Sequence, residues 1–401
     1  MAALLLEVGI ALTAIAVAGA LANRVGLSVI PAYIVVGVLV GPNEPTSVLG
    51  IPLTLVQNRE FVDVLAELGV VFLLFFLGLE FSIGQLLDDR RRIATIGSLD
   101  FAVNFGLGAL LGVAFGYTLV ETMFVAGIVY ISSSAVITKS IIDEGWVANP
   151  ESRPILGTLV FEDLLIAVYL AVLSAVALGE GTPADAAVAV GTAFAFLGAL
   201  ALVAWYGTEY VERLFDADSD ELFLLRVLGA TTLVAGAALT AGLSEAVAAF
   251  FVGTAFSATD HTERIEHVVA PARDFFAAVF FFAIGLTTDV TLLADVAWLL
   301  VAAVAVTTVG KLASGTASGR VYGLDRVRSL RVGFGLVPRG EFSLVIATLA
   351  ASVGTGALGD VIPAFAVGYV LVMSVLGTVL VQNADEVLDR VGLGWERSPT
   401  D

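Results

Sequence analysis

The chain has 401 residues, 58% of them apolar and only 14% charged, with a mean hydropathy of +0.97; soluble domains carry about 25% charged residues, so a soluble protein is excluded. Its 38 Asp and Glu against 19 Lys and Arg leave a net charge of −19, the wrong sign for a nucleic-acid binder. The absence of Cys excludes disulfides, thiolate metal sites and a thiol nucleophile, and two histidines, His261 and His267, are too few for a His-rich metal site.

A bilayer core of about 30 Å takes roughly 20 apolar residues of helix, and only helices or closed barrels satisfy their backbone there. The apolar runs predict thirteen helices, at about 4–22, 29–41, 61–82, 93–116, 119–142, 155–178, 185–206, 221–241, 244–258, 272–288, 293–317, 331–352 and 361–381. Runs of this length without period-two alternation argue against a barrel. The second and ninth are short, and the topology requires both. With the N-terminus outside, every basic residue except Arg59, Lys311 and Arg339 falls in a cytoplasmic loop or tail, as the positive-inside rule demands. The triplet Arg90-Arg91-Arg92 is the densest such anchor. Glu7 and the lack of a basic leader make the first run a span rather than a cleaved signal. The organisation expected is a transmembrane domain over 1–381 and a short cytoplasmic tail over 382–401, with no nucleotide-binding appendage.

Ionisable groups at mid-membrane are costly and point to function. Taken in chain order, Glu67 and Glu80 lie near the ends of the third helix and are expected to reach the interface. Asp100 and Asn104 lie at i and i+4 on the fourth, where a packing hydrogen bond is the expected reading and lining the core the other. The fifth contains Ser132-Ser133-Ser134, followed by Lys139 and Asp143-Glu144. The sixth places Glu162 beside Asp163, ten residues in from Arg153 and so about 15 Å deep. Glu245 caps or opens the ninth, and both histidines sit in the solvated loop after it. Lys311 in the eleventh lies nine residues back from Arg320, at nearly the same depth as Asp163. Neighbours on a helix point about 100° apart, so Lys311 pairs closely with only one of the two acids. The other is left to face water or an ion. A purely structural ion pair between helices is the competing reading.

The twelfth helix is interrupted by Gly333-Phe334-Gly335-Leu336-Val337-Pro338-Arg339-Gly340-Glu341, where Pro338 removes a helical hydrogen bond. Arg339 and Glu341 either neutralise each other locally or take part in ion passage. Irregular backbone at depth is tolerated where it lines a cavity or is buried in protein, and paired interruptions mark transporter binding sites. The fifth and twelfth helices are seven apart, an odd offset that implies an inverted repeat.

Five stretches carry a family resemblance: Phe75-Phe76-Leu77-Gly78-Leu79-Glu80, Ser132-Ser133-Ser134-Ala135-Val136, Phe161-Glu162-Asp163, Phe282-Ala283-Ile284-Gly285-Leu286 and Pro338-Arg339-Gly340-Glu341-Phe342. In this order they resemble the monovalent cation:proton antiporters, in the subfamily that includes sodium/proton exchangers and potassium-efflux proteins. The resemblance covers about residues 5–381. It implies an all-α membrane fold with two crossed, discontinuous helices, a dimerisation panel and a mobile six-helix core built from about 93–178 and 293–381. It further implies that Asp163 binds the ion and that Glu162, standing where Asp is more usual, pairs with Lys311.

The function expected is exchange of Na⁺ or K⁺ for H⁺ at one carboxylate, alternately exposed to each side, in a homodimer in the cell membrane. Asp163 would hold either a proton or the cation, and Glu162, Ser132 and Ser133 would complete the ion site. Lys311, Arg339 and Glu341 are the coupled charge partners. No enzymatic step and no cofactor is expected, only the transported ions. A sodium-coupled organic-anion symporter of similar plan is the alternative; a cation channel lacks its filter of repeated carbonyls or acidic rings. An intramembrane aspartyl protease would need its two acids on different helices. Most acids lie in loops such as Asp216-Ala217-Asp218-Ser219-Asp220-Glu221, a heavily hydrated surface suited to a salt-rich cytosol.

Overall fold

The computed structural model describes residues 2–43, 46–48, 51–52, 54–56, 60–80, 90–178, three positions between 191 and 198, 208–240, 245–257, 259–354 and 356–390. The predicted span at 185–206 lies largely outside these residues, as does 391–401. Eighteen α-helices are present among them: α1 Ala2–Arg24, α2 Val29–Val40, α3 Glu60–Glu80, α4 Arg90–Ala114, α5 Leu119–Tyr130, α6 Ser134–Asp143, α7 Ser152–Leu178, α8 Thr208–Phe215, α9 Asp220–Thr240, α10 Glu245–Ser257, α11 Thr262–Val268, α12 Ala270–Thr287, α13 Leu292–Asp295, α14 Ala297–Val321, α15 Arg326–Gly335, α16 Glu341–Val353, α17 Val361–Gln382 and α18 Ala384–Arg390. Eight of them are long and apolar enough to cross a membrane, and α2, α5, α10 and α16 are shorter apolar helices. The sole β-structure among the described residues is a two-residue pairing of Ser47–Val48 with Ile51–Pro52.

The chain divides into two compact units. The first comprises 1–22, 32–85 and 163–290. Its core joins Ala11 and Ile15 of α1, Val40 of α2, Val62 of α3 and Val279, Phe282 and Leu286 of α12. Phe72 of α3 stacks on Phe276 of α12 at 5.7 Å, and Phe75 meets Phe256 of α10 edge-on at 5.8 Å. Two glycines let α3 and α10 approach backbone to backbone. A Cβ on Gly78 would run into the Phe250 carbonyl, and one on Gly253 into that of Phe75. Small residues serve the same end wherever apolar helices pack without a hydrophobic driving force.

The second unit comprises 23–31, 86–162 and 291–401, so α7 passes from one unit to the other between Glu162 and Asp163. One of its cores gathers Ile137, Ile141, Trp146, Ile155, Leu159, Val332, Phe334, Leu336, Val381 and Leu388. Helix α4 packs on α5 and α14, and α14 on α15. Thr118 and Glu121 form a reciprocal cap at the start of α5, and Asp325 caps α15 by accepting from the Arg328 N–H.

Helix boundaries differ from the sequence expectation where polar residues prolong an apolar run. Helix α15 begins at Arg326 rather than near 331, because Asp325 starts it and the arginines extend it by more than a turn. Helix α4 likewise takes in Arg90–Arg92. Segments expected as loop or tail contain the short helices α8, α11 and α18.

Candidate functional site

Both interrupted spans are broken where the residues required it, and the two breaks meet. Helix α5 ends at Tyr130; Ile131 and Ser133 are extended, and Ser133 then caps α6 by accepting from the Val136 N–H. The other break runs from Leu336 to Gly340, between α15 and α16. The Ser133 N–H donates to the Pro338 carbonyl at 3.0 Å, and the Ser133 hydroxyl to Glu341 Oε2 at 2.6 Å. Ser343 Oγ donates to the Ile128 carbonyl at 2.7 Å. Helix α17 closes the other side of the break. Gly377 lies so near Pro338 that a Cβ there would stand 2.6 Å from Pro338 Cα.

Broken helices expose carbonyls that lack helical partners, and Arg339 collects them. Its Nε donates to Val129 O at 3.1 Å, its Nη1 to Leu336 O and Val337 O at 2.9 and 2.8 Å. The guanidinium thus carries its positive charge to the C-terminal ends of both α5 and α15, where the helix dipole is negative. The whole side chain is buried.

At the opposite polarity stands Glu162, on α7. Its Oε2 accepts the Ser132 N–H at 2.6 Å and its Oε1 the Ser132 hydroxyl at 3.0 Å, just before the N-terminus of α6. Lys311 of α14 donates to the same Oε1 at 2.5 Å. The ammonium is shared: it also donates to Asp100 Oδ2 at 2.6 Å, and it stands 5.2 Å from the centre of the Tyr130 ring. Asp100, Glu162 and Lys311 are each at 0% exposure. Asp100 is held in turn through Oδ1, which accepts from Asn104 Nδ2 at 2.9 Å and from Ser314 Oγ at 2.7 Å. A buried charge survives only when paired and hydrogen-bonded, and each member of this triad meets both conditions.

Of the residues singled out in the sequence, Ser132, Ser133, Glu162, Lys311, Arg339 and Glu341 come together in the second unit. Asp163 is the next residue on α7 and is half-buried. The geometry puts Lys311 on Glu162. Asp100 is the residue whose weight the sequence reading underestimated. The hydrogen bond to Asn104 expected from the i, i+4 spacing is present, and Asp100 is in addition an ion-pair partner of Lys311. A signal was available: Asp100 lies eight residues in from Arg92, about 12 Å along the helix and close to the depth of Glu162 and Lys311.

Two helix breaks that meet beside a buried acid–base cluster, in a chain with eight helices long and apolar enough to cross a membrane, are the marks of a multi-pass membrane transporter. Residues 10–383 match the family described as sodium/hydrogen exchanger, transmembrane. The chain belongs to that family and is a cation/proton antiporter. It is 38% identical over 385 residues to the K⁺/H⁺ antiporter subunit KhtU of Bacillus subtilis, covering 96% of this chain and 94% of that one. It is 28% identical to the ammonium/H⁺ antiporter subunit AmhT of Alkalihalophilus pseudofirmus, again over 96% of this chain and 94% of the other. The fold is similar to that of the sodium proton antiporter MjNhaP1 of Methanocaldococcus jannaschii, with a TM-score of 0.68 at 15% identity, covering 98% of this chain and 100% of that one.

Proposed function

We propose that the protein exchanges a monovalent cation, K⁺ or Na⁺, for H⁺ at the Asp163 carboxylate by alternating access. One observation supports the reading: Glu162 is committed to Lys311 and Ser132 through both oxygens, and in this reading the exchange chemistry is the work of the adjacent acid. Asp163 takes a proton or a cation, never both, so occupancy by one ion on each passage couples the two fluxes. Ser132 and Ser133 contribute oxygens to the cation shell by giving up their hydrogen bonds to Glu162 and Glu341. Arg339 steadies the crossing while the core moves.

The same reading places thirteen spans in an inverted repeat, with the N-terminus outside and the C-terminus in the cytoplasm. A core from about 93–178 and 293–381 works against a dimerisation panel, in a homodimer in the cell membrane. K⁺ is the first cation to test, because KhtU is named a K⁺/H⁺ antiporter. KhtU and AmhT are both named as antiporter subunits, which favours a second, separate subunit for this chain as well.

Competition kinetics in proteoliposomes test the shared carboxylate. Acidifying the side from which the cation is taken up should raise its apparent KM while leaving the maximal rate at saturating cation intact. A fall in maximal rate with KM unchanged would mean that protons and cations use different groups.

A further inference from the structure

Lys311 answers to two carboxylates, and only one of them belongs to the exchange site proposed above. The two are held in different ways. Asp100 faces Lys311 across the packed pair α4 and α14, and its second oxygen is fixed by Asn104 from α4 and Ser314 from α14. Asn104 also donates to Ser314 Oγ at 3.1 Å, so the two supports are themselves tied together. Glu162 comes from a third helix, α7, and its remaining partner is Ser132 in the broken segment. The ammonium is therefore anchored on one side and shared with a carboxylate that adjoins Asp163 on the other.

We infer that Asp100 is a positioning residue: it is the fixed counter-ion of Lys311, and by taking part of the ammonium's charge it limits how fully Lys311 neutralises Glu162, and so sets how tightly the neighbouring Asp163 holds its cation. The inference rests on the exchange site proposed above. Its physical content is a sign. Removing the Asp100 charge gives Lys311 wholly to Glu162 and also takes one anion out of a fully buried cluster, where charges act over longer distances than at the surface. Both changes make the potential at Asp163 more positive and cation binding weaker.

The test is cation transport by the full chain in proteoliposomes at alkaline pH, where protons compete least, with K⁺ and Na⁺ assayed separately. Asp100→Asn, which keeps the shape and the acceptor for Asn104 and Ser314, should raise the cation KM about fivefold, with a smaller change in maximal rate. Asp100→Glu, which restores the charge, should bring KM back toward the parent value. A monodisperse, folded Asp100→Asn protein with unchanged KM overturns the inference, and so does a protein whose melting temperature alone falls. Should Asp100→Asn fail to fold, Ser314→Ala loosens Asp100 without removing its charge. It should raise KM about twofold, and an unchanged KM there likewise overturns the inference. Asp163→Asn separates the two levels. If that protein still exchanges cations for protons, the exchange site itself is wrong. If it is inactive while Asp100→Asn keeps its KM, only the role of Asp100 fails.

Discussion

Lys311 Nζ lies 2.5 Å from Glu162 Oε1, with both side chains at 0% exposure and the two residues 149 positions apart in the chain. The pair ties the middle of α14 to the middle of α7. An ammonium and a serine already occupy both Glu162 oxygens. A buried pair of this kind adds little net stability compared with apolar residues of the same size, but breaking it is expensive.

Lys311→Met leaves two buried carboxylates, Asp100 and Glu162, without their common counter-ion. The expected loss is about 3–5 kcal/mol, read as a lower melting temperature in detergent. Adding Asp100→Asn to Lys311→Met should recover part of it. No recovery in the double variant would show that the two residues do not act on one another.

Arg339→Lys keeps a positive charge but loses the planar fork that reaches Val129 O, Leu336 O and Val337 O together. Leaving one or two of these carbonyls without a donor should cost about 2–4 kcal/mol and slow transport of both Na⁺ and K⁺. Parent-like stability and rates would show that charge alone is what the crossing needs.

Gly377→Ala puts a methyl against the Pro338 backbone, where no flexible side chain can give way. Overpacking of this kind costs about 1–3 kcal/mol. Because the displaced segment is the break that carries Arg339, the variant should lose transport rate as well as stability. The same substitution at Gly229, whose Cβ would meet nothing within 4 Å, is the matched control and should change neither.

Much of this centre is legible in the amino-acid sequence. Pro338 between glycines and three serines in an apolar run each forecast a break, because helical hydrogen bonding fails there for local reasons. Matched depths of Lys311 and the Glu162-Asp163 pair forecast an ion pair, because α-helices rise at a fixed rate. What helical spacing could not supply was lateral distance. Asp100 reaches Lys311 because Gly310 lets α14 sit close against Asn104 on α4, and closeness between helices 211 residues apart in contact leaves no trace in either helix read alone. The sequence leaves Arg339 either neutralising Glu341, two residues away, or taking part in ion passage. Its role as a donor to carbonyls depends on two helix ends that converge only once the chain is folded. The hydrated acidic surface inferred from composition is a separate matter, though Arg264 bonded to Asp220 at 2.9 Å shows some of those acids already locally paired.

The central claim is that one carboxylate, Asp163, carries both ions. Its most direct test is Asp163→Asn in proteoliposomes with an imposed pH gradient, reading proton flux on addition of K⁺ or Na⁺ and comparing it with the parent at equal amounts of folded protein. Cation-dependent proton flux should vanish for both ions while the protein remains folded and the Lys311–Glu162 pair stays in place. Flux retained at a rate near the parent's would contradict the claim and move the exchange chemistry to another residue.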